Sequence, residues 1–294
     1  WVLLGLAVAS FGAALTPPVE RLPLRPAVKV FNDRDGLPQN SIEVITRDAE
    51  GFLWVGTQNG AARYDGRSWS VVDLPTPQRS NWVGALLPRP DGLYVGTIGD
   101  GLHRWQGGQW TTFRSPLGQS FQRIHYLAPA TKGGIWVGTQ DEGLWHLEGA
   151  LLDRIQGLPA KRVKAVLEEG DSLWAGTEAG VYLREGGTWT QQGPRAQVND
   201  LVRDGPRLWM ATTIGLFRKE GSGPWQAVPG LPGPEINRLI KGPGPRGKPG
   251  LWVATNKGVA CLEGDHAEVF GLGAGLPSLA CPTLFIMEPD QGLS

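Results

Sequence analysis

The sequence predicts an all-β fold, a seven-bladed β-propeller of four-stranded antiparallel blades whose last blade is incomplete and shared between the two termini. Three observations carry this reading. The phrase Leu53-Trp54-Val55-Gly56-Thr57 returns as Leu93-Tyr94-Val95-Gly96-Thr97, Ile135-Trp136-Val137-Gly138-Thr139, Leu173-Trp174-Ala175-Gly176-Thr177, Leu208-Trp209-Met210-Ala211-Thr212 and Leu251-Trp252-Val253-Ala254-Thr255. Its aromatic residues are 40, 42, 38, 35 and 43 positions apart, the period of a repeat architecture in which each unit buries its apolar face only against its neighbours. Finally, 43 Gly, 24 Pro and 13 Trp in 294 residues describe many short strands joined by tight turns, because Gly supplies positive φ and Pro ends pairing.

Blade one sets the grammar. Alternating hydrophobicity predicts strands over residues 41–47, 52–57, 61–64 and 68–72, joined by Asp48-Ala49-Glu50-Gly51, Gln58-Asn59-Gly60 and Asp65-Gly66-Arg67. Four short antiparallel strands in about 40 residues make a propeller blade. The Trp of the second strand reads as a plate packed between adjacent blades, and the Gly and Thr after it leave room for that contact.

The later repeats keep the pattern with local losses. A second aromatic follows the first at Trp69, Trp110, Trp189 and Trp225, whereas blades three and six have Leu151 and Ala267 near that point. Gly-Leu-Pro leads into first strands at residues 36–38, 157–159, 230–232 and 275–277. Residues 241–250, KGPGPRGKPG, form an extended loop before the second strand of blade six, being too rich in Gly and Pro for a strand.

Both ends imply a split seventh blade. Residues 28–31 sit where a fourth strand belongs, and residues 283–287 read as a first strand followed by its turn. Pairing the two would close the ring and remove exposed sheet edges. Before this, residues 1–15 are an apolar run that resembles a truncated signal peptide or membrane anchor; a complete span needs about 20 residues. Residues 16–27 form a polar, Pro-rich linker, and residues 28–294 the propeller.

Charge and cysteine content exclude several function classes. Lys plus Arg and Asp plus Glu are 28 each with no basic stripe, so the electrostatic footprint of a nucleic-acid binder is missing. Cys261 and Cys281 read as two separate thiols, with a bridge as the alternative in an exported chain. The four His, at 103, 125, 146 and 266, have no metal-binding spacing. No Gly-x-Ser-x-Gly elbow or phosphate-cradling loop before a helix is present. Asp48, Asp91 and Asp204 recur near the turn after the first strand, where local backbone bonds cap such turns. No cofactor, metal site or catalytic residue is expected.

The residues of blade one closely resemble the two-component regulator propeller repeat. These are Asp35-Gly36-Leu37-Pro38-Gln39-Asn40-Ser41, then residues 48–57, then Gly60 and Arg63-Tyr64-Asp65-Gly66. The resemblance extends over about residues 28–294 and is weakest in blade five. It implies a periplasmic or otherwise extracytoplasmic sensor region, membrane-anchored in the full protein. Such propellers are followed by a β-sandwich domain, a membrane span and an output module, most often a histidine kinase and in some relatives a diguanylate cyclase or a phosphatase. Several members sense carbohydrate fragments. A carbohydrate or other small ligand and a homodimer are the expected partners, and any kinase activity would belong outside these residues.

Ligand sites of propellers lie at the mouth of the channel that the innermost strands line. Aligning the apolar pair of each first strand (Ile42 and Ile45, Val83 and Leu86, Ile124 and Leu127, Val163 and Val166, Val198 and Leu201, Ile236 and Leu239) isolates one variable, mostly polar position: Glu43, Gly84, His125, Lys164, Asn199 and Asn237. Variation at one fixed place is what an asymmetric site on a pseudo-symmetric frame needs. Asn40, Asn81, Trp82, Gln122 and Arg123 join the candidates at the mouth, since Trp stacks on sugars and Arg clamps carboxylates. A sensor is therefore expected. The alternatives are a protein-binding scaffold and, further off, a propeller lyase or quinone dehydrogenase.

Overall fold

The computed structural model describes residues 2–4, 29–76, 81–114, 123–264, 266–276 and 278–287. Six four-stranded antiparallel sheets follow one another along the chain, each ordered first to fourth strand. Blade one consists of Ile42–Arg47, Leu53–Thr57, Gly60–Tyr64 and Trp69–Val72, close to the strands predicted for it. The other inner strands are Val83–Arg89, Ile124–Pro129, Val163–Glu169, Val198–Asp204 and Ile236–Pro243; the last runs into the expected loop, because Lys241, Gly242 and Pro243 ladder against Leu251, Gly250 and Pro249 and leave a loop only between them.

The recurring phrase builds the contacts between blades. Trp54 packs with Val83, Leu86 and Val95 of blade two, and Trp136, Trp174 and Trp209 likewise pack on the inner strands of blades four, five and six. Trp54 is 1% exposed; burying a large apolar side chain this fully contributes about 1.5–3 kcal/mol. The Gly of the phrase sits against the next blade. A Cβ on Gly96 would lie 2.4 Å from Ile124 Cγ2, and one on Gly138 2.5 Å from the Val163 carbonyl oxygen.

The Thr does something other than leave room. Thr57 Oγ1 donates to the Gly60 carbonyl (2.9 Å) and accepts from Asn59 N (3.0 Å). Thr97, Thr139, Thr177, Thr212 and Thr255 repeat the arrangement on their own hairpins. Each buried hydroxyl is therefore a polar staple beneath its turn, where an unpaired polar group would be costly.

Among the described residues the expected seventh blade is not formed: there are six. Lys29–Phe31 is a strand as predicted, but it pairs with Val2–Leu4 in a separate two-stranded sheet. Residues 283–287 are not a strand, because an extended segment with no neighbour to ladder against gains no strand hydrogen bonds. They nevertheless fill the space between the last blade and the first. Leu284 and Ile286 pack on Trp252 and Val259 of blade six, while Phe285 packs on the blade-one cluster that also holds Phe31. Cys261 and Cys281 are free thiols in the cluster at that junction, so the bridge is absent. Apart from Val2–Leu4, the apolar run at residues 1–15 lies outside the described residues.

Candidate functional site

The variable position found in the sequence has one structural identity in all six blades. Each inner strand shifts register there: Ile42 pairs with Thr57 and Val44 with Gly56, leaving Glu43 as the extra residue of a β-bulge. The same break isolates Gly84, His125, Lys164, Asn199 and Asn237. A bulge leaves one residue outside the ladder and re-aims its side chain. The six bulges thus place six side-chain positions near the start of the inner strands. Gly84 is a special case, since a Cβ there would stand 2.4 Å from the Ile124 carbonyl oxygen. Blade three approaches too closely for any side chain.

The bulge residues form a polar belt. Gln58 Nε2 donates to Glu43 Oε1 at 2.9 Å. The Gln140 amide turns its NH2 toward His125 Nε2 (2.7 Å), and its oxygen accepts from Arg123 Nη1 (3.2 Å) and Arg162 Nη2 (3.3 Å). That assignment makes Nε2 an acceptor and leaves the His125 proton on Nδ1. Lys164 Nζ donates to Asn199 Oδ1 (3.3 Å), which also takes a bond from Gln197 (2.9 Å). Asn199 Nδ2 then reaches the Ile236 carbonyl of blade six (2.8 Å), and Asn237 Nδ2 the Cys281 carbonyl (2.8 Å).

Electrostatics link blades one, three and four at this place. Burial pushes the His125 pKa down, with Lys164 and Arg162 adding to the effect and Glu43 opposing it. Burial also lowers Lys164, with Arg162 adding to it and Glu43 and Glu235 opposing. The belt thus presents a neutral imidazole, an ammonium and a carboxylate within mutual electrostatic reach. It can bind a small polar molecule through directed hydrogen bonds. Among the described residues no group of three His, Cys, Asp or Glu is arranged to hold a metal ion.

The remaining candidates are more dispersed. Asn40 Oδ1 accepts from Asp33 N (2.8 Å), bracing the turn Asp33–Asp35 ahead of blade one. Asn81 is exposed and accepts from Thr76 Oγ1 (2.7 Å). The Trp82 carbonyl accepts from Ile98 N (2.8 Å). Arg123 lies on the rim, 3.6 Å from Asp141. Gln122 falls outside the described residues.

Sequence alignment of the bulge column missed the next layer down. The residue after each bulge is Val44, Ala85, Tyr126, Ala165, Asp200 or Arg238, and three of these are polar. Asp200 is 4% exposed. Its carboxylate accepts from Leu201 N and, across the blade boundary, from Leu239 N, both at 2.9 Å, with Arg238 Nε 3.5 Å away. Burial raises the Asp200 pKa against the pull of Arg238 and the two backbone donors. Tyr126 donates to the Val166 carbonyl of blade four (3.2 Å), and burial, helped by Asp200, pushes its hydroxyl up to about 12. Reading one column further along the same alignment would have found all three.

Comparison with known proteins agrees with the repeat. Residues 36–59 match the family described as two component regulator propeller. No curated protein matches the sequence. Among solved structures, the chain is similar to the extracellular domain of a protein named as hybrid two component system BT3049 from B. thetaiotaomicron. The TM-score is 0.72 at 18% identity, over 87% of this chain and 39% of that one. The extracellular domain of a protein named as one component system BT4673 from the same organism gives 0.69 at 18% identity, over 85% and 36%. A catalytically inactive virginiamycin B lyase from Staphylococcus aureus, solved with quinupristin, gives 0.64 at 13% identity, over 80% and 83%. This chain therefore spans about two fifths of the first two structures. Likeness at such identities establishes the propeller fold.

Proposed function

We propose, from the two component regulator propeller repeat at residues 36–59, that this chain is the extracytoplasmic ligand-sensing propeller of a membrane signalling protein. The observation that carries the reading is the ring of bulges, which sets Glu43, His125, Lys164, Asn199 and Asn237 at the same place in five of the six blades and leaves Gly84 in the other. Such a ring recognises an asymmetric polar molecule while the blades around it stay alike. Its donors and acceptors suit a carbohydrate fragment, whose hydroxyl groups take bonds from both kinds. The propeller itself binds and does no chemistry. The β-sandwich, membrane span and histidine kinase or diguanylate cyclase output would lie in other parts of the protein, which would act as a homodimer.

A thermal-shift and calorimetric screen of the 294-residue protein against an oligosaccharide panel tests this. Binding is expected to raise Tm, and Glu43→Gln and Lys164→Met are expected to abolish that rise. A panel without effect, or a rise untouched by both variants, would overturn the reading. Retention of a protein partner on this face with no small-molecule effect would favour a scaffold instead.

A further inference from the structure

Repeat symmetry lets one blade boundary serve as the control for the next. On the face opposite the bulges, the first strand of blade four ends at Glu169. Its carboxylate accepts from Trp174 Nε1 (2.9 Å) and pairs with Arg203 of blade five. That boundary is closed by one carboxylate shared between an indole and a guanidinium.

Asp204 and Lys241 hold the matching positions at the boundary of blades five and six. Asp204 is one methylene shorter than Glu169, and no ion pair joins it to Lys241 among the described residues. Trp209 is 4% exposed, and its buried Nε1 has no acceptor among the described residues. Here a cleft of about 610 Å³ opens, lined by Trp209, Lys241, Lys248, Leu251 and Leu262 as well as Asp204. Lys248 is held in place because the loop that carries it is pinned to the Glu263 carboxylate by Arg246 N (3.2 Å) and Lys248 N (3.3 Å). Trp136 in blade three also lacks an acceptor, but the His146 ring packs on it at 4.7 Å, and its inner strand ends in Pro129 with no acidic residue.

We infer that this cleft binds a small organic carboxylate, whose carboxylate group takes the place that Glu169 fills one blade earlier. It accepts from Trp209 Nε1 and lies against the ammonium groups of Lys241 and Lys248, while its apolar body rests on Leu251 and Leu262. An unsatisfied buried donor and two lysines facing one short acid favour an anion with a planar acceptor edge. This site is separate from the bulge ring, on the other face of the propeller.

Benzoate is the probe, with benzamide and inorganic phosphate as controls, and the readout is the indole 1H–15N resonance of Trp209, assigned by its loss in Trp209→Phe. Benzoate is expected to shift that resonance saturably, and benzamide and phosphate are expected not to. Lys241→Ala weakens the shift. Asp204→Glu abolishes it by supplying the missing carboxylate from within, and it keeps the fold because blade four already uses that pairing. Lys164→Met, at the other face, leaves the shift unchanged. No saturable shift with benzoate, an equal shift with benzamide or phosphate, or a shift that persists in Asp204→Glu would overturn the inference.

Discussion

The Cβ that Gly56 lacks would stand 2.6 Å from Val83 Cγ1, on the inner strand of the next blade. Gly176 stands in the same relation to Val198, again at 2.6 Å. Blades five and six carry Ala211 and Ala254 at this place, so those two boundaries accommodate the methyl group that the others exclude.

Gly56→Ala is accordingly expected to destabilise the propeller by about 1–3 kcal/mol, the usual cost of overpacking. Urea unfolding should show a lower midpoint with an unchanged slope. An unchanged midpoint would mean that Val83 yields freely and the close approach is incidental.

Thr177 tests the hairpin staple. Its fully buried hydroxyl donates to the Gly180 carbonyl (2.7 Å) and accepts from Ala179 N (3.1 Å). Thr177→Val removes both bonds, leaving Ala179 N without this acceptor, and should cost about 1–3 kcal/mol, whereas Thr177→Ser keeps the bonds and should cost less. Equal losses in the two variants would assign the effect to the methyl group.

Asp200 spans two blades, and its loss strands Leu239 N and the Arg238 guanidinium together. Asp200→Ala should cost about 1–3 kcal/mol, because buried backbone donors lose their acceptor, and Arg238→Met in the same background should recover part of it, since the half-exposed Arg238 is then no longer left without its partner. A double-mutant cycle measures this, and simple additivity would refute the coupling.

His103 predicts the pH dependence of stability. Burial lowers its pKa to about 4, Nδ1 bonds Thr112 Oγ1 at 3.0 Å, and the ring is 1% exposed. The folded pKa lies below the unfolded one, so the unfolded chain takes up the proton first as pH falls. This contribution is complete above about pH 6.5 and is lost as the pH approaches about 4. Over that window the loss is about 2–3 kcal/mol. His103→Gln should flatten this slope in unfolding curves, and an unaltered slope would place the titration elsewhere.

Much of this protein can be read in its sequence because the fold repeats. The blade-one strands and the packing role of Trp54 follow from period and alternation, since each blade meets the same environment as its neighbours. The column holding Glu43, His125 and Lys164 was visible for the same reason: a bulge recurs at a fixed offset from invariant apolar partners. Blade number was misjudged at the ends, where Lys29–Phe31 paired with Val2–Leu4 and residues 283–287 found no strand to join.

The sequence by itself therefore determined the all-β propeller, its four-stranded blades and the bulge column, because these depend on local periodicity and on contacts between like units. Only the tertiary structure decided which side chains meet across blade boundaries. Asp200 reaches Leu239, Asn199 reaches Ile236, and Asp204 and Lys241 leave open the gap that Glu169 and Arg203 close. These outcomes turn on which side chains of neighbouring blades come within hydrogen-bond distance, and such distances are set only when the sheets pack.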